Sequence, residues 1–432
     1  MADIKSNQNE EVLDPRDHRV IGRELDLFTF SETVGKGLPL WTSRGTTFRR
    51  ELERFVVDTE LKWGYQHVMT PDIAKLELYK KSGHYPYYKD TMYSPIEVEG
   101  EEFMLRTMTC PHHFELYLSK PRSYRELPMR IAELAKLYRF ELSGVLTGLI
   151  RVRSFCLADA HIICADEGQM KSEVKGALDL IDHVAKVLGL EMGKNYRYRL
   201  SLGDRTNTKK YYEDPAAWEK AEGSLREVLQ ERNCEFFEAA DEAAFYGPKI
   251  DVQMTKINGV EDTAFTVQYD FVMPKRFDLK YIDRDGQEKP VLVVHRSSIG
   301  CIERIAAFLL EHYNGNLPLW LAPVQVAILP VSEKVIEYAT KIETELKAGG
   351  IRVELNKDAD SLGKKIRNAE GLKIPYMLIV GEKEAENGQV SVRAHGSPSA
   401  EQGQKDLGSM ELSVLIEKVK KEIETKALLD MG

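Results

Sequence analysis

Long hydrophobic segments are absent from the sequence. No run of about 18 or more apolar residues, the minimum for a membrane-crossing helix, occurs among the 432 residues. Residues 1–19 also lack the basic and then apolar order of an export signal. We therefore expect a cytoplasmic protein that does not contact a membrane.

Cysteine is scarce, and its pattern excludes two classes of small fold. The five cysteines are widely spaced, with no Cys-x-x-Cys pair: Cys110, Cys156, Cys164, Cys234 and Cys301. Such spacing supports neither a disulfide scaffold nor a short-spaced zinc knuckle. A reducing compartment fits this usage.

Positive charge is not in excess. The 60 Lys and Arg residues are outnumbered by 69 Asp and Glu residues, which leaves a net charge of −9. This balance argues against a protein that binds nucleic acid over its whole surface. The same balance is compatible with a basic surface on one face of the protein.

Two common nucleotide-binding motifs are also missing. The order GxxxxGK[ST] of a P-loop does not occur, because the pair Gly363-Lys364 is followed by Lys365. The segment 35–37 begins like a dinucleotide-binding fingerprint but lacks the third glycine, so we interpret it as a loop. Any nucleotide site must therefore be of another kind.

Turn-forming residues at 314–323 mark a boundary in the chain. We predict a polar extension over residues 1–18, a domain over 19–321 and a second domain over 322–432. The first domain lacks a regular strand-helix rhythm, which favours an α+β fold with an antiparallel sheet. In the second, strand and helix patterns alternate, which indicates an α/β fold with helices on a mixed sheet. The strands expected there are 324–331, 351–355, 375–380 and 389–395.

Charged residues near position 140 offer the first chemical signal. If Arg139 and Glu141 lie on a strand, they point to the same face, where a cation and an acceptor could bind a phosphate and an amino group. Alone, such a pair is more typical of a surface ion pair. A further arginine, Arg304, is expected about one turn into a helix that follows the β-rich segment 291–294.

Taken together, these segments resemble the class II aminoacyl-tRNA synthetases. Residues 138–141 match motif 2, residues 300–304 match motif 3, and a helix over 45–62 with a strand ending at Pro71 matches motif 1, the dimer motif. Within the class, residues 17–426 are similar to the threonyl-tRNA synthetase family. The further matching segments are 82–84, 108–111, 151–153, 159–161, 245–251, 266–268 and 295–296. The resemblance implies an antiparallel sheet flanked by helices, followed by an anticodon-binding domain.

The resemblance also implies a metal site that spacing alone would not nominate. In the family, the positions of Cys110, His161 and His295 hold one Zn²⁺ per subunit. One thiolate and two imidazoles suit zinc, and three protein ligands leave the metal open for substrate. A site built around the hydroxyl of threonine can reject valine by about 10⁴ or more.

The resemblance implies roles for further residues in the formation of threonyl-adenylate from threonine and ATP, with Mg²⁺, and in its transfer to tRNA(Thr). Arg139 and Arg304 are expected to be catalytic, and His84 to lie near the tRNA end. The residues expected to bind ATP are Arg139, Glu141, Arg151, Phe155 and Arg304. Those expected to bind threonine are Asp159, Tyr246, Thr266 and Gln268. A homodimer is expected from motif 1.

The C-terminal segment is similar to the anticodon-binding domain of several class II enzymes. Arg367, Glu384 and Arg393 are the candidate anticodon readers, although the insertion at 394–404 interrupts the usual basic turn. The paired-histidine motif HxxxH of editing modules in larger relatives does not occur. We therefore expect a threonine–tRNA ligase without editing in cis.

Four positions depart from the family pattern and keep two alternatives open. They are His112, Leu157, Thr263 and Cys301. The first alternative is a synthetase retuned to serine or another hydroxy amino acid, because zinc does not separate serine from threonine. The second is a non-catalytic tRNA-binding or regulatory paralogue.

Overall fold

The computed structural model describes residues 13–395 and 404–428. Most of the polar extension predicted at 1–18 and of the insertion at 394–404 lies outside these residues. Within them, the α-helices are α1 (His18–Glu24), α2 (Ser43–Lys62), α3 (Leu76–Ser82), α4 (His84–Tyr87), α5 (Cys110–Leu118), α6 (Glu167–Val187), α7 (Pro215–Glu231), α8 (Met273–Arg276), α9 (Ile302–His312), α10 (Ile336–Ala348), α11 (Leu362–Gly371), α12 (Glu382–Asn387) and α13 (Leu412–Thr425).

The strands of the same residues fall into two larger sheets and three small ones. They are β1 (Phe28–Thr29), β2 (Leu40–Trp41), β3 (Gln66–His67), β4 (Ile73–Lys75), β5 (Ile96–Val98), β6 (Glu101–Leu105), β7 (Met129–Tyr138), β8 (Ser154–Cys164), β9 (Tyr196–Ser201), β10 (Phe236–Ala239), β11 (Lys249–Thr255), β12 (Glu261–Asp270), β13 (Lys280–Ile282), β14 (Glu288–Pro290), β15 (Leu292–Cys301), β16 (Val326–Pro330), β17 (Val353–Leu355), β18 (Tyr376–Val380), β19 (Gln389–His395) and β20 (Gln404–Glu411).

The central sheet has eight strands in the order β10-β9-β11-β12-β15-β8-β7-β3. Its neighbours are antiparallel except at the two edges, where β10 runs parallel to β9 and β3 runs parallel to β7. The prediction of an antiparallel α+β core is therefore confirmed.

Alternating side chains give this sheet two different faces. On one face, apolar residues such as Ile162, Val267 and Val294 are fully buried, and the helices α6 and α9 pack on the strands that carry them. Because successive residues of a strand point to opposite faces, the intervening residues of β8, β12 and β15 point away from these helices. That second face carries the polar residues of the candidate site.

Helix α2 is the long helix of the motif 1 segment. Its N-cap residue Thr42 accepts a hydrogen bond from the backbone N–H of Gly45 at 3.1 Å, and Phe48, Leu52 and Val56 are buried on one side. A Cβ atom at Gly45 would lie 1.7 Å from the carbonyl oxygen of Leu27. Only glycine therefore lets the start of α2 lie against this backbone.

The C-terminal sheet has the order β17-β16-β18-β19-β20 and is mixed, with β16 parallel to β17 and β18 and the remaining pairs antiparallel. The four strands expected there are present, with small differences at their ends. The edge strand β20 and the short helix α12 are not predicted from the sequence. The left-handed Gly408 (φ 75°) and the polar composition of β20 conceal the alternation by which strands are recognised.

Candidate active site

A cavity of about 250 Å³ opens on the second face of the central sheet. It gathers twelve of the thirteen residues that the sequence nominated for the active site. They are Cys110, Arg139, Glu141, Arg151, Phe155, Asp159, His161, Tyr246, Thr266, Gln268, His295 and Arg304. The thirteenth, His84, lies next to the cavity and contacts its wall.

Strand register explains how these distant residues meet. His295 of β15 lies directly opposite His161 of β8 on one side and Gln268 of β12 on the other. Directly opposite residues share a face, and so do residues two apart. Asp159 and Thr266, each two residues away from this row, therefore face the same cavity.

The three proposed metal ligands form a compact buried group. Cys110 begins helix α5, and its Sγ lies within 4.8 Å of one ring nitrogen of both His161 and His295, which are themselves within this distance of each other. Burial raises the pKa of the Cys110 thiol and lowers that of the His161 imidazole. A thiol and two imidazoles at this spacing form a donor set of the kind that binds zinc.

The remaining ring nitrogens of both histidines are already bonded. The Nε2 of His295 is 2.8 Å from Oδ2 of Asp270, and the Nδ1 of His161 is 2.8 Å from Nδ1 of His113. In each imidazole, one nitrogen is therefore bonded to another residue and the other nitrogen remains for a metal. Histidines that bind metals usually have this arrangement. The residues fit a three-ligand zinc site.

A second acidic and histidine group, Asp17, His18 and Glu311, has similar spacing but different bonding. The Nδ1 of His18 is 2.7 Å from Glu311, its Nε2 accepts from the N–H of Leu149 at 3.1 Å, and Asp17 pairs with Arg19 at 2.7 Å. Both nitrogens of His18 are thus engaged. This group ties the start of α1 to the segment that leads into β8.

Arginine side chains line the cavity near Phe155. The guanidinium of Arg139 lies 5.1 Å from the ring centre of Phe155, and its Nε has no hydrogen-bond partner among the described residues. Burial, and then the charge of Arg304, lowers the pKa of Arg139. Two neighbouring cations, one of them incompletely paired, make this part of the cavity a site for an anion.

The prediction that Arg139 and Glu141 share a strand face is wrong. Strand β7 ends at Tyr138, after which only Arg139 continues the pairing, through its N–H to the carbonyl of Arg153 at 3.0 Å. The chain then turns, and the carboxylate of Glu141 accepts from Nε of Arg151 at 3.1 Å. The two residues nevertheless line one cavity because the turn folds back over it.

Hydrogen bonds fix the polar wall near the metal ligands. The hydroxyl of Tyr246 donates to Oε1 of Gln268 at 2.5 Å, and Nε2 of Gln268 donates to Oγ1 of Thr266 at 3.2 Å. The ring of Tyr246 stacks on His295, with centroids 5.0 Å apart. Burial raises the pKa of the Asp159 carboxyl. A cation bound beside this carboxyl would lower its pKa again.

His84 is fully enclosed beside Cys110. Its Nδ1 lies 2.7 Å from Oγ of Ser82, and its Nε2 lies 3.6 Å from Sγ of Cys110. Burial, followed by the charges of His295 and Arg276, lowers the pKa of His84 to about 3. The imidazole is therefore neutral at physiological pH.

Several residues that support the site were not among those predicted from the sequence. Glu303 accepts from the N–H of Cys156 at 2.8 Å and pairs with Arg49 of α2, while Asp270 and His113 bond to the two candidate metal-ligand histidines. Only the position of His113, three residues after Cys110 on one helix, could have drawn attention to it. Of the four departures from the family pattern, Leu157, Thr263 and Cys301 line the cavity, and His112 does not.

The three anticodon candidates lie on the C-terminal sheet and its helices. Arg367 is exposed on α11, and Arg393 is half-buried on β19. Glu384, on α12, already accepts from the N–H of Gly381 at 2.9 Å and from Oγ of Ser391 at 2.8 Å. Their roles stay predictions.

No helix among the described residues is both long and apolar enough to cross a membrane.

Residues 93–313 match the family model described as tRNA synthetase class II core domain (G, H, P, S and T), and residues 325–422 match the model described as anticodon binding domain.

Several known proteins with similar sequences or structures are named threonine–tRNA ligase or threonyl-tRNA synthetase. A threonine–tRNA ligase of Halalkalibacterium halodurans is 49% identical over 408 residues, which are 94% of this chain but 62% of that relative. The crystal structure of the RNA binding domain of threonyl-tRNA synthetase from Cryptosporidium parvum Iowa II is 35% identical, with a TM-score of 0.85 over 94% of this chain and 98% of that chain. A putative threonyl-tRNA synthetase from Aeropyrum pernix is 30% identical, with a TM-score of 0.82 over 95% and 97% of the two chains.

The chain thus spans less than two thirds of the length of the curated bacterial relative, and nearly all of the two solved structures. Both the sheet with its cavity and the C-terminal domain lie within the matched regions. The chain belongs to the threonyl-tRNA synthetase family of class II aminoacyl-tRNA synthetases.

Proposed function

We propose that this protein is a threonine–tRNA ligase, which joins threonine to ATP as threonyl-adenylate and then transfers it to the 3′ end of tRNA(Thr). The observation that carries this proposal is the composition of one cavity. It contains a three-ligand metal group near His161 and a cluster of arginines near Phe155, at opposite ends of the cavity-facing part of strand β8. An amino acid and a nucleotide can be held there side by side.

In the first step, the carboxylate of threonine attacks the α-phosphate of ATP and releases pyrophosphate. Arg139 contacts the carboxylate and the α-phosphate, while Arg151 and Arg304 bind the outer phosphates. Phe155 stacks on adenine and Glu141 accepts from its amino group. Positioned charge accounts for most of the catalysis of such transfers, which agrees with the incompletely paired Arg139. Mg²⁺ accompanies ATP and offsets the charge of its phosphates.

The amino acid lies against Asp159, Tyr246, Thr266 and Gln268. We infer that Cys110, His161 and His295 hold Zn²⁺, which when bound supplies open positions for the amino nitrogen and the hydroxyl of threonine. Asp159 accepts a hydrogen bond from the hydroxyl of the substrate. Valine, which has no hydroxyl, leaves these polar groups unpaired and is rejected.

In the second step, a hydroxyl of the terminal ribose of tRNA attacks the carbonyl carbon of the adenylate, the bond between threonine and phosphate breaks, and AMP leaves. His84 lies next to the amino-acid part of the cavity, beside Cys110 and Tyr246, and we propose, from its match to the family's histidine near the tRNA end, that it helps to move the ribose proton. Arg367, Glu384 and Arg393 are the proposed anticodon contacts. We further propose a catalytic domain over 19–321, an anticodon-binding domain over 322–432, a homodimer and a cytoplasmic location.

Amino-acid-dependent exchange of pyrophosphate with ATP tests the proposal. We expect exchange with threonine, much weaker exchange with serine, none with valine, and loss of exchange after treatment with a zinc chelator. An Arg139→Gln variant should lose about 10² to 10³ of the rate, the usual effect of removing one stabilising donor. Arg125→Gln, which changes an exposed arginine outside the cavity, is the matched control and should retain the rate.

Two results would replace this function with another. Preference for serine would favour the retuned synthetase, and would direct attention to Leu157 and Thr263 in the cavity wall. Absence of exchange with every amino acid, together with retained binding of tRNA, would favour a binding paralogue.

A further inference from the structure

A chain of three buried groups leads away from the proposed metal ligand His161. Its Nδ1 is 2.8 Å from Nδ1 of His113, and the Nε2 of His113 is 3.2 Å from Oε2 of Glu133. The rings of the two histidines are perpendicular, with centroids 4.8 Å apart. All three side chains are almost fully buried.

Glu133 is held as a carboxylate by several donors. Arg106 donates to it at 2.8 Å, Thr70 donates through its hydroxyl at 2.8 Å and through its N–H at 3.2 Å, and His113 completes the set. Burial alone would raise the pKa of Glu133, but the hydrogen bonds from His113, Thr70 and Arg106 lower it to about 2. The carboxylate is therefore ionised and can only accept hydrogen bonds.

The ionised carboxylate determines where each proton lies. Because Glu133 only accepts, the Nε2 of His113 carries the hydrogen of that bond, and in this tautomer its Nδ1 is the acceptor in the 2.8 Å contact with His161. The short contact at that atom requires His161 to donate from its own Nδ1. The Nε2 of His161 is left with a lone pair, the form that binds a metal.

We propose that His113 and Glu133 are positioning residues that hold His161 in the tautomer and ring orientation needed to bind the metal through Nε2. This inference rests on the proposed metal site. His113 does not touch substrate in this arrangement and acts only through His161. Asp270 plays the corresponding part for His295 directly, through its carboxylate at 2.8 Å.

The adjacent residue His112 provides a matched control. It lies on the same helix and is similarly buried, at 7% exposure, but neither of its ring nitrogens has a hydrogen-bond partner among the described residues. Removing the imidazole of His112 therefore changes packing in the same helix without breaking the chain to His161.

The experiment measures the zinc affinity of the whole protein by competition with a chromophoric chelator. We expect His113→Leu to lower the affinity about ten- to a hundredfold, the usual effect of losing such an outer partner. His113→Asn, whose amide oxygen lies near the position of Nδ1, should lose less. His112→Leu should match the unchanged protein. Circular dichroism verifies that each variant is folded.

Substitution with Co²⁺ gives a second readout, because its visible absorption reports ligand geometry directly. The bands should shift in His113→Leu and remain in place in His112→Leu. Equal zinc affinity in His113→Leu and the unchanged protein would overturn the inference alone, as would an equal loss in both leucine variants. Failure of the unchanged protein to bind zinc would overturn the proposed metal site, and the inference with it.

Should His113→Leu fail to fold, Glu133→Gln offers an independent route to the same question. It keeps the size of the side chain and removes the charge that orients His113. We expect a smaller but measurable loss of zinc affinity and a shifted Co²⁺ spectrum. An affinity and spectrum identical to those of the unchanged protein would contradict the role of Glu133.

Discussion

Individual side chains in the cavity are held by specific bonds before any substrate arrives. Tyr246 shows this clearly, because its ring stacks on His295 while its hydroxyl donates to Gln268. Burial raises the pKa of this phenol well above its usual value, so the hydroxyl remains a donor. Gln268 is thereby oriented, and its amide nitrogen donates to Thr266.

Removing the hydroxyl of Tyr246 tests this orientation. Tyr246→Phe keeps the stacking on His295 but frees Gln268 to rotate. We expect a loss of about 1 kcal/mol in amino-acid binding, or roughly a fivefold rise in the KM for threonine, with little change in kcat. The measurement is pyrophosphate exchange at varied threonine concentration.

Tyr313→Phe is the control for that prediction. The hydroxyl of Tyr313 donates to the carbonyl of Leu188 at 2.8 Å, outside the cavity. Its loss should lower stability slightly and leave the KM for threonine unchanged. If both variants raise the KM alike, the effect comes from general loosening of the core and not from Gln268.

At the scale of elements, helix α2 connects the motif 1 segment to the strand that carries His295. Glu60, near the end of α2, accepts from Nη1 of Arg296 and from Oγ of Ser298, both at 2.5 Å. Glu60 and Arg296 are each 1% exposed. Arg49 of the same helix pairs with Glu303 at the start of α9. Through these bonds, α2 contacts both strand β15 and the motif 3 segment at the start of α9.

Breaking the buried pair should be costly. Glu60→Gln leaves the charge of Arg296 without a counterion, and we expect a loss of about 3 to 5 kcal/mol in the free energy of unfolding. Urea denaturation at neutral pH measures this loss. Arg54→Gln, which breaks an exposed pair with Glu51 on the same helix, should cost no more than about 1 kcal/mol.

The stabilisation from Glu60 should also depend on pH. Burial would raise its pKa, but the charge of Arg296 and the hydrogen bonds to the carboxylate lower it below the usual value. The contribution is therefore complete above the pKa of an unfolded glutamate, about 4.3, and is lost as the pH falls below it. A stability difference between Glu60→Gln and the unchanged protein that stayed constant down to acidic pH would contradict this account.

At the scale of the whole molecule, the two domains are joined by contacts on both sides of the link near residue 321. Arg352, just before β17, donates to the carbonyls of Trp320 at 2.8 Å and Ala322 at 3.0 Å, and lies 3.4 Å from Glu51 of α2. The ammonium of Lys426 lies 5.7 Å from the ring centre of Phe55. The C-terminal domain is therefore held against the helix that supports the active site.

Loosening this link should affect the use of tRNA and not the formation of adenylate. Arg352→Ala removes both carbonyl bonds and the contact with Glu51. If the domain orients the anticodon, the KM for tRNA(Thr) in aminoacylation should rise roughly tenfold, the effect of losing one or two hydrogen bonds. Pyrophosphate exchange, which needs only the cavity, should remain unchanged.

Lys334→Ala is the control within the same domain. Lys334 forms an exposed pair with Glu382 at 3.0 Å, and surface pairs contribute little. It should alter neither reaction. A fall in pyrophosphate exchange in Arg352→Ala would show instead that this arginine stabilises the catalytic domain itself.

Local sequence patterns predict some elements of this structure and not others. Runs of β-forming, mostly apolar residues predicted the main strands of the C-terminal sheet, but the polar edge strand β20 was not predicted because few of its side chains are buried. Arg139 and Glu141 would share a face only on a strand, whereas the register of β7 with β8 ends at Tyr138 and one further bond, from the N–H of Arg139, closes the pairing. Strand ends depend on the partner strand, which a local pattern does not include.

Sequence by itself determined the residue types at the site and their family, because short motifs carry the side chains that the proposed chemistry needs. Only the tertiary structure decided that Cys110, His161 and His295 meet, through the register of β8 and β15 and the start of α5. It alone also brought Glu133, His113 and Asp270 behind the ligands. Hydrogen bonds act over about 3 Å, so which distant residues they join is decided by packing and not by spacing along the chain.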